Sequence, residues 1–242
     1  MPAPDDVMFL LDVDDTLLDN DRFAADLAAR LERDFGAGER DRYHALYEAR
    51  RDEVGYADYL GALQAFRDGS DKEDQLLRMS GFLLDYPFAE RLYPHALEAI
   101  AHLRTLGTVG ILSDGDIVFQ PRKIQRAGLW DAVDGKVLVY VHKERMLDAV
   151  QRHFPARHYV MVDDKPTLLA AMKRVLGDRL TTVFVRQGHY AAAGGAVEPA
   201  PDRSISHIGE LCDLMLSDLR TVSRADATGD FPPRMAAAPE AP

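Results

Sequence analysis

The sequence predicts an α/β fold, a doubly wound parallel sheet interrupted early by an all-helical insert, and three observations carry that prediction. Val7-Met8-Phe9-Leu10-Leu11 is an unbroken apolar run that stops at Asp12, as expected of a strand covered on both faces. Residues 20 to about 92 show helical periodicity with almost no strand signal. From Tyr93 onward, short apolar runs alternate with helical patterns, the signature of right-handed βαβ units feeding a parallel sheet.

In chain order, Val7–Leu11 is the first strand. Asn20 can cap a helix with Phe23, Leu27, Leu31 and Phe35 on one face, stopped by Gly36 and Gly38. Tyr43, Leu46 and Tyr47 mark a second helix that breaks near Gly55. Tyr59, Leu60, Leu63 and Phe66 mark a third, closed by Asp68-Gly69-Ser70, and Leu76, Leu77, Met79, Phe82 and Leu83 a fourth before Pro87. Together these four form a small helix bundle. Pro94 then opens a helix through Leu106, Thr108–Leu112 is a strand, and Ile117–Ala127 a helix ended by Gly128. A strand over Lys136–Val141, a helix over Glu144–Phe154, a strand over His158–Val162, a helix over Pro166–Leu176 and a strand over Thr181–Val185 complete a Rossmann-like sheet. After an Ala-, Gly- and Pro-rich stretch, Ile205–Leu219 reads as one more helix. Residues 220–242 are too poor in large apolar groups to offset ordering entropy and are expected to be disordered. The division that follows is a catalytic core of residues 1–19 and 93–219, a helical insert of 20–92, and a tail of 220–242.

Two acids, Asp12 and Asp14, follow the first strand with period two, so their side chains point the same way at the edge where open α/β sheets bind ligands. One can attack or hold a metal while the other handles a proton. A calcium loop starting at Asp12 needs Gly at its sixth position and Glu at its twelfth, where Leu17 and Phe23 stand. A serine-hydrolase elbow is excluded because Gly110-Ile111-Leu112-Ser113-Asp114-Gly115 misses the G-x-S-x-G spacing. The net charge of -11 excludes a nucleic-acid partner bound through basic patches. One cysteine, Cys212, leaves no internal disulfide framework. With no run of about 18 apolar residues and no signal-like N-terminus, a soluble cytoplasmic protein without membrane association is expected.

The stretch Asp12-Val13-Asp14-Asp15-Thr16-Leu17 resembles the first signature of the haloacid dehalogenase-like superfamily, a strand ending in D-x-D-x-T-L. Three further signatures follow in family order. Thr108–Ser113 ends a strand in serine, Lys143 precedes a helix, and Tyr159-Val160-Met161-Val162-Asp163-Asp164 ends a strand in acids. The resemblance implies that the insert is a cap that selects the substrate. It implies Asp12 as a nucleophile forming an aspartyl-phosphate, Asp14 as the acid and base, and Ser113 and Lys143 as phosphate contacts. It also implies Mg²⁺ held by Asp12, Asp14 through its backbone carbonyl, and Asp163 or Asp164, with Asp164 preferred. Lys165 and Lys123 stay open for the role given to Lys143, Ser113 could instead cap the following helix, and the Asp163-Asp164 pair could cap the helix opened by Pro166. Two departures stand out: Glu144 follows Lys143 where proline is usual, and Asp15 replaces a frequent glycine. The expected activity is Mg²⁺-dependent hydrolysis of a small phosphorylated metabolite. A sugar phosphomutase or a non-catalytic phosphometabolite-binding module is the alternative, and dehalogenation is disfavoured by the acid at position 14.

Overall fold

The computed structural model describes residues 7–69, 71–192 and 196–219. The expected tail lies outside them. Six parallel strands form one sheet in the order β3-β2-β1-β4-β5-β6, the doubly wound arrangement with its reversal between β1 and β4. The strands are β1 (Val7–Leu11), β2 (Thr108–Asp114), β3 (Val137–Tyr140), β4 (His158–Asp163), β5 (Leu180–Val185) and β6 (Arg203–Ile205).

All five β1 residues are buried, and their alternation sorts them to opposite faces. Phe9 and Leu11 join a cluster that includes Phe23 and Leu27 of the insert, whereas Met8 and Leu10 join a second one with Leu147, Met161 and Leu169. An apolar run without polar alternation is therefore what this strand needs, since neither face meets water. Each such fully buried large side chain contributes about 1.5–3 kcal/mol.

Between β1 and the rest of the core lie α1 (Asn20–Phe35), α2 (Ala37–Val54), α3 (Tyr59–Arg67) and α4 (Glu73–Asp85). Asp19, rather than Asn20, caps α1 by accepting from the Arg22 amide at 2.8 Å. Gly55 closes α2 in the left-handed conformation at φ +83°. The segments leaving and re-entering the core run side by side: the Asp19 amide donates to Arg91 O at 2.8 Å and that of Tyr93 to Leu17 O at 2.9 Å. This two-stranded junction places the first turn of α1 above the edge of the sheet where β1 ends.

The core continues with α5 (Ala96–Leu106), α6 (Phe119–Arg126), α7 (Leu129–Ala132), α8 (Leu147–His153), α9 (Pro166–Leu176), α10 (Gly188–Ala192) and α11 (Leu216–Leu219). Several starts differ from the sequence reading. His95 adopts φ +66°, so α5 begins after it and not at Pro94. Asp116 accepts from the Val118 and Phe119 amides at 2.7 and 2.5 Å, delaying α6 to Phe119 and leaving Ile117 exposed. Lys143–Arg145 is a 3-10 turn, and α8 starts only at Leu147. The single helix expected over Ile205–Leu219 is instead the end of β6, a 3-10 segment over Ile208–Asp213 and the short α11. Ile208 and Leu211 are buried at a spacing of three, which a 3-10 turn satisfies as well as an α-helix. A three-residue edge strand is too short to show alternation, so β6 escapes the sequence.

Candidate active site

Register delivers the acids. Leu11 pairs with Val162 and the Asp12 amide donates to Val162 O at 3.0 Å, so Asp12 and Asp163 emerge side by side at the reversal of strand order. Carboxylate oxygens of Asp12, Asp163 and Asp164 lie within 4.8 Å of one another. Asp12 is 3 % exposed and the other two are fully buried. Lys143, 1 % exposed, reaches from the loop after β3 into this cluster. Its ammonium donates to Asp12 Oδ1 and to Leu112 O at 3.1 Å, and lies 2.8 Å from Asp163 Oδ2. Asp114 holds the loop by accepting from the Lys143 amide at 2.7 Å. Of the three lysines open for this position, the structure places Lys143 against Asp12.

The charges do not balance. Asp12 Oδ2 and both oxygens of Asp164 are buried without a hydrogen-bond partner, and an unpaired buried carboxylate costs several kcal/mol. Burial, only partly offset by Lys143, and the neighbouring Asp163 push the Asp12 carboxyl up to about 7. Burial together with Asp163 and Asp12 pushes Asp164 up to about 9. Burial opposes the charge on Lys143, but Asp12 and Asp163 outweigh it and hold the ammonium above the ordinary lysine range. Removing that ammonium strands three carboxylates together. Lys143→Met is expected to lower the free energy of unfolding by roughly 3–5 kcal/mol in metal-free buffer, measured by urea denaturation.

Asp14 is not part of this cluster. Its Oδ1 lies 2.7 Å from Lys123 Nζ and its Oδ2 accepts from Gln120 Nε2 at 3.1 Å, both on α6. Any role of Asp14 in holding a metal would therefore fall to its backbone carbonyl. Ser113, buried at the end of β2, accepts from Gln120 Nε2 at 3.0 Å and does not cap α6, where Asp116 acts instead. The acid pair does not cap α9 through a helix-terminal hydrogen bond either, since the cap residue is Lys165. Asp163 Oδ1 accepts from the Lys165 amide at 2.8 Å, a local turn at the start of that helix.

The residue that replaces glycine has a structural explanation. Asp15 takes φ +58°, the left-handed conformation that favours glycine or a short polar residue. Its Oδ1 accepts from the Asn20 and Asp21 amides at 3.0 and 3.2 Å. The β5–α10 turn packs on its other side, where a Cβ at Gly188 would lie 2.4 Å from Asp15 Cβ.

The profile of haloacid dehalogenase-like hydrolases matches residues 8–175, more than half of the chain. The chain belongs to the haloacid dehalogenase-like hydrolase family. A crystal structure from Burkholderia xenovorans LB400, described as a haloacid dehalogenase-like hydrolase, is 56% identical with a TM-score of 0.81, over 87% of this chain and 99% of that one. The L-2-haloacid dehalogenase of Xanthobacter autotrophicus shares the fold at 18% identity and TM-score 0.57, over 85% and 96%. YfnB of Bacillus subtilis, a HAD hydrolase bound to magnesium, does so at 20% and 0.56, over 85% and 96%. No curated protein sequence matches the chain. The sheet described above is thus that of a hydrolase family, and no helix among the described residues is long and apolar enough to cross a membrane.

Beside this edge, α1, α2, α10 and the start of α3 line a cavity of about 350 Å³ whose lining includes Asn20, Tyr43, Tyr47, Arg51, Tyr59 and His189. The Arg51 guanidinium donates to Tyr190 OH at 2.7 Å, and the Tyr190 ring lies 4.8 Å from Lys165 Nζ. Arg50 points elsewhere, into an ion pair with Asp58 at 2.7 Å. Sequence reasoning gave no role to Gln120, Tyr190 or His189, and considered Lys123 only as a phosphate contact. Little local to those residues signals their positions, because Gln120 and Lys123 reach Asp14, Tyr190 reaches Arg51 and His189 reaches Asp21 across more than 100 residues of chain.

Proposed function

We propose that this hydrolase cleaves a small phosphomonoester through an aspartyl-phosphate on Asp12, with Mg²⁺ as cofactor and helices α1–α4 acting as the cap. The observation that carries the reading is the pair of buried oxygen sets without partners, Asp12 Oδ2 and the two oxygens of Asp164, side by side in a site with too few cations. An all-oxygen, carboxylate-rich donor set fits a hard divalent ion. Asp12, Asp164 and the Asp14 carbonyl would hold it, Asp163 being engaged by Lys143 and the Lys165 amide. When bound, Mg²⁺ supplies the positive charge that lets a carboxylate and a phosphate dianion approach.

With Lys143 on Oδ1, the Oδ2 of Asp12 is the oxygen left to attack phosphorus. The bond from phosphorus to the leaving oxygen breaks with its electron pair on that oxygen, which takes a proton from Asp14. Water then attacks phosphorus and gives its proton to Asp14 while the bond to Asp12 breaks, releasing phosphate and restoring both carboxyl groups. Ser113 and Lys143 contact the phosphoryl oxygens, where fixed donors and charge are most effective. The cavity beside Asn20, Tyr47 and Tyr59 receives the leaving group.

A dehalogenase reading rests on likeness of fold alone. Displacing halide from a haloacid requires no proton on the leaving group, and three clustered carboxylates would repel an anionic haloacid. Purified protein, assayed with and without Mg²⁺ on phosphorylated sugars, nucleotides, phosphoglycolate, flavin mononucleotide, 4-nitrophenyl phosphate and 2-chloropropionate, is expected to release phosphate from at least one ester and no chloride. Chloride release, or phosphate release that persists in chelator, would refute the proposal. A mutase would instead yield isomers without free phosphate, and a binding module would yield no turnover.

A further inference from the structure

Lys123 lies outside every role assigned so far. It is 1 % exposed, on α6, with its ammonium 5.4–5.9 Å from the ring centres of Phe23, Tyr59, Phe88 and Phe119. The hydrogen bonds it makes are to Asp14 Oδ1 at 2.7 Å and Asn20 Oδ1 at 3.0 Å. Ammonium over aromatic faces is favourable, and more so when dry, but the rings carry no net charge, so Asp14 is the counter-ion in contact. One turn earlier on the same helix, Gln120 Nε2 donates both to Asp14 Oδ2 and to Ser113 Oγ. The carboxylate is thus gripped at both oxygens, and its Oδ2 is linked through one amide to the hydroxyl expected to contact phosphate. Phe23, Tyr59 and Phe88 belong to the insert, Phe88 on the 3-10 turn near its end, and Phe119 belongs to the core. The grip is complete only while insert and core are packed together.

We propose that Lys123 is a positioning residue: from a ring cage shared by insert and core, it fixes the Asp14 carboxylate for the step in which that group takes a proton from water. The proposal rests on the phosphatase reading. It predicts which half-reaction suffers. An aryl leaving group departs without a proton, so phosphorylation of Asp12 by 4-nitrophenyl phosphate does not need Asp14, whereas hydrolysis of the aspartyl-phosphate does.

The experiment is rapid-mixing kinetics of Lys123→Met on 4-nitrophenyl phosphate with Mg²⁺. The expected result is a burst of nitrophenolate equal to the enzyme concentration. The steady rate that follows should be about 10²-fold below wild type, the scale of a general-base contribution, with KM falling in parallel and kcat/KM within about threefold. Lys123→Arg, which keeps the charge against Asp14, should recover kcat to within about tenfold, with a correspondingly faster steady phase after the burst. If Lys123→Met does not fold, Lys123→Gln carries the same readout. A variant in which kcat and kcat/KM fall together without a burst, or in which neither changes, overturns the proposal while leaving the phosphatase reading intact. Wild-type protein that releases phosphate from no ester of the panel, 4-nitrophenyl phosphate included, refutes that reading, and the proposal with it.

Discussion

Asp12→Asn is expected to lower kcat on the best phosphomonoester by at least about 10⁴-fold, the scale on which removing a covalent nucleophile acts, and to leave no acid-stable phosphoprotein. The substitution keeps volume and one oxygen acceptor, so the site should stay assembled, but a neutral amide does not displace an alkoxide from phosphorus. The same change should raise Tm in chelator, because it removes one of three carboxylates crowded within 4.8 Å of one another at a point where Lys143 forms the ion pairs with Asp12 and Asp163 and Lys165 acts on the three acids from further away. Loss of activity joined to a gain in stability is the combination to look for. Turnover within tenfold of wild type, measured by phosphate release, would remove Asp12 from the chemistry. A fall in Tm with activity lost would show that Asp12 is structural.

Removing the metal should have the second-largest effect, and its pH dependence has a definite sign. The folded state holds the Asp12 carboxyl at about 7 and that of Asp164 at about 9, both above the ordinary value of 3.8 for the unfolded chain. Between those values the folded protein binds more protons than the unfolded chain does. Their contribution to stability is therefore fully present at low pH and is lost as pH rises through 7 and 9. In chelator, Tm should fall across that window. A cation that binds the ionised carboxylates restores what is lost, so saturating Mg²⁺ should add little at pH 5 and most at pH 8. At about 100 times Kd the gain is about 2.7 kcal/mol, which for a chain of this size corresponds to roughly 5–10 °C in Tm. Differential scanning fluorimetry at the two pH values tests this, and a Mg²⁺ shift independent of pH would contradict the assignment of these acids.

How much of the site was legible depends on how each residue gets its neighbours. Asp12, Ser113 and the Asp163-Asp164 pair were readable because each directly follows, or closes, an apolar run, and a parallel sheet collects the carboxyl ends of its strands on one edge, whereas Lys143 came from the family resemblance alone, with Lys123 and Lys165 left open beside it. The helices of the insert were readable for a similar reason, since Phe23, Leu27, Leu31 and Phe35 repeat at helical spacing and are all buried. The starts of α5, α6 and α8 were not, because a left-handed His95, an Asp116 cap and a 3-10 turn at Lys143 are single-residue decisions that leave no periodic trace. Strand β6 was missed because three residues at a sheet edge carry no pattern.

By itself, then, the sequence determined the class of fold, the order of the main elements through β5 and the acids at the ends of β1 and β4, because hydrophobic periodicity and strand termini are local properties of the chain. Only the tertiary structure decided that Asp14 turns toward α6 while Asp12 and Asp164 keep unpartnered oxygens, and that Lys143 serves the acid cluster while Lys123 serves Asp14. Those choices depend on which charge finds which counter-charge at a distance of a few ångströms in a dry interior, and partners separated by more than 100 residues are brought there by packing alone.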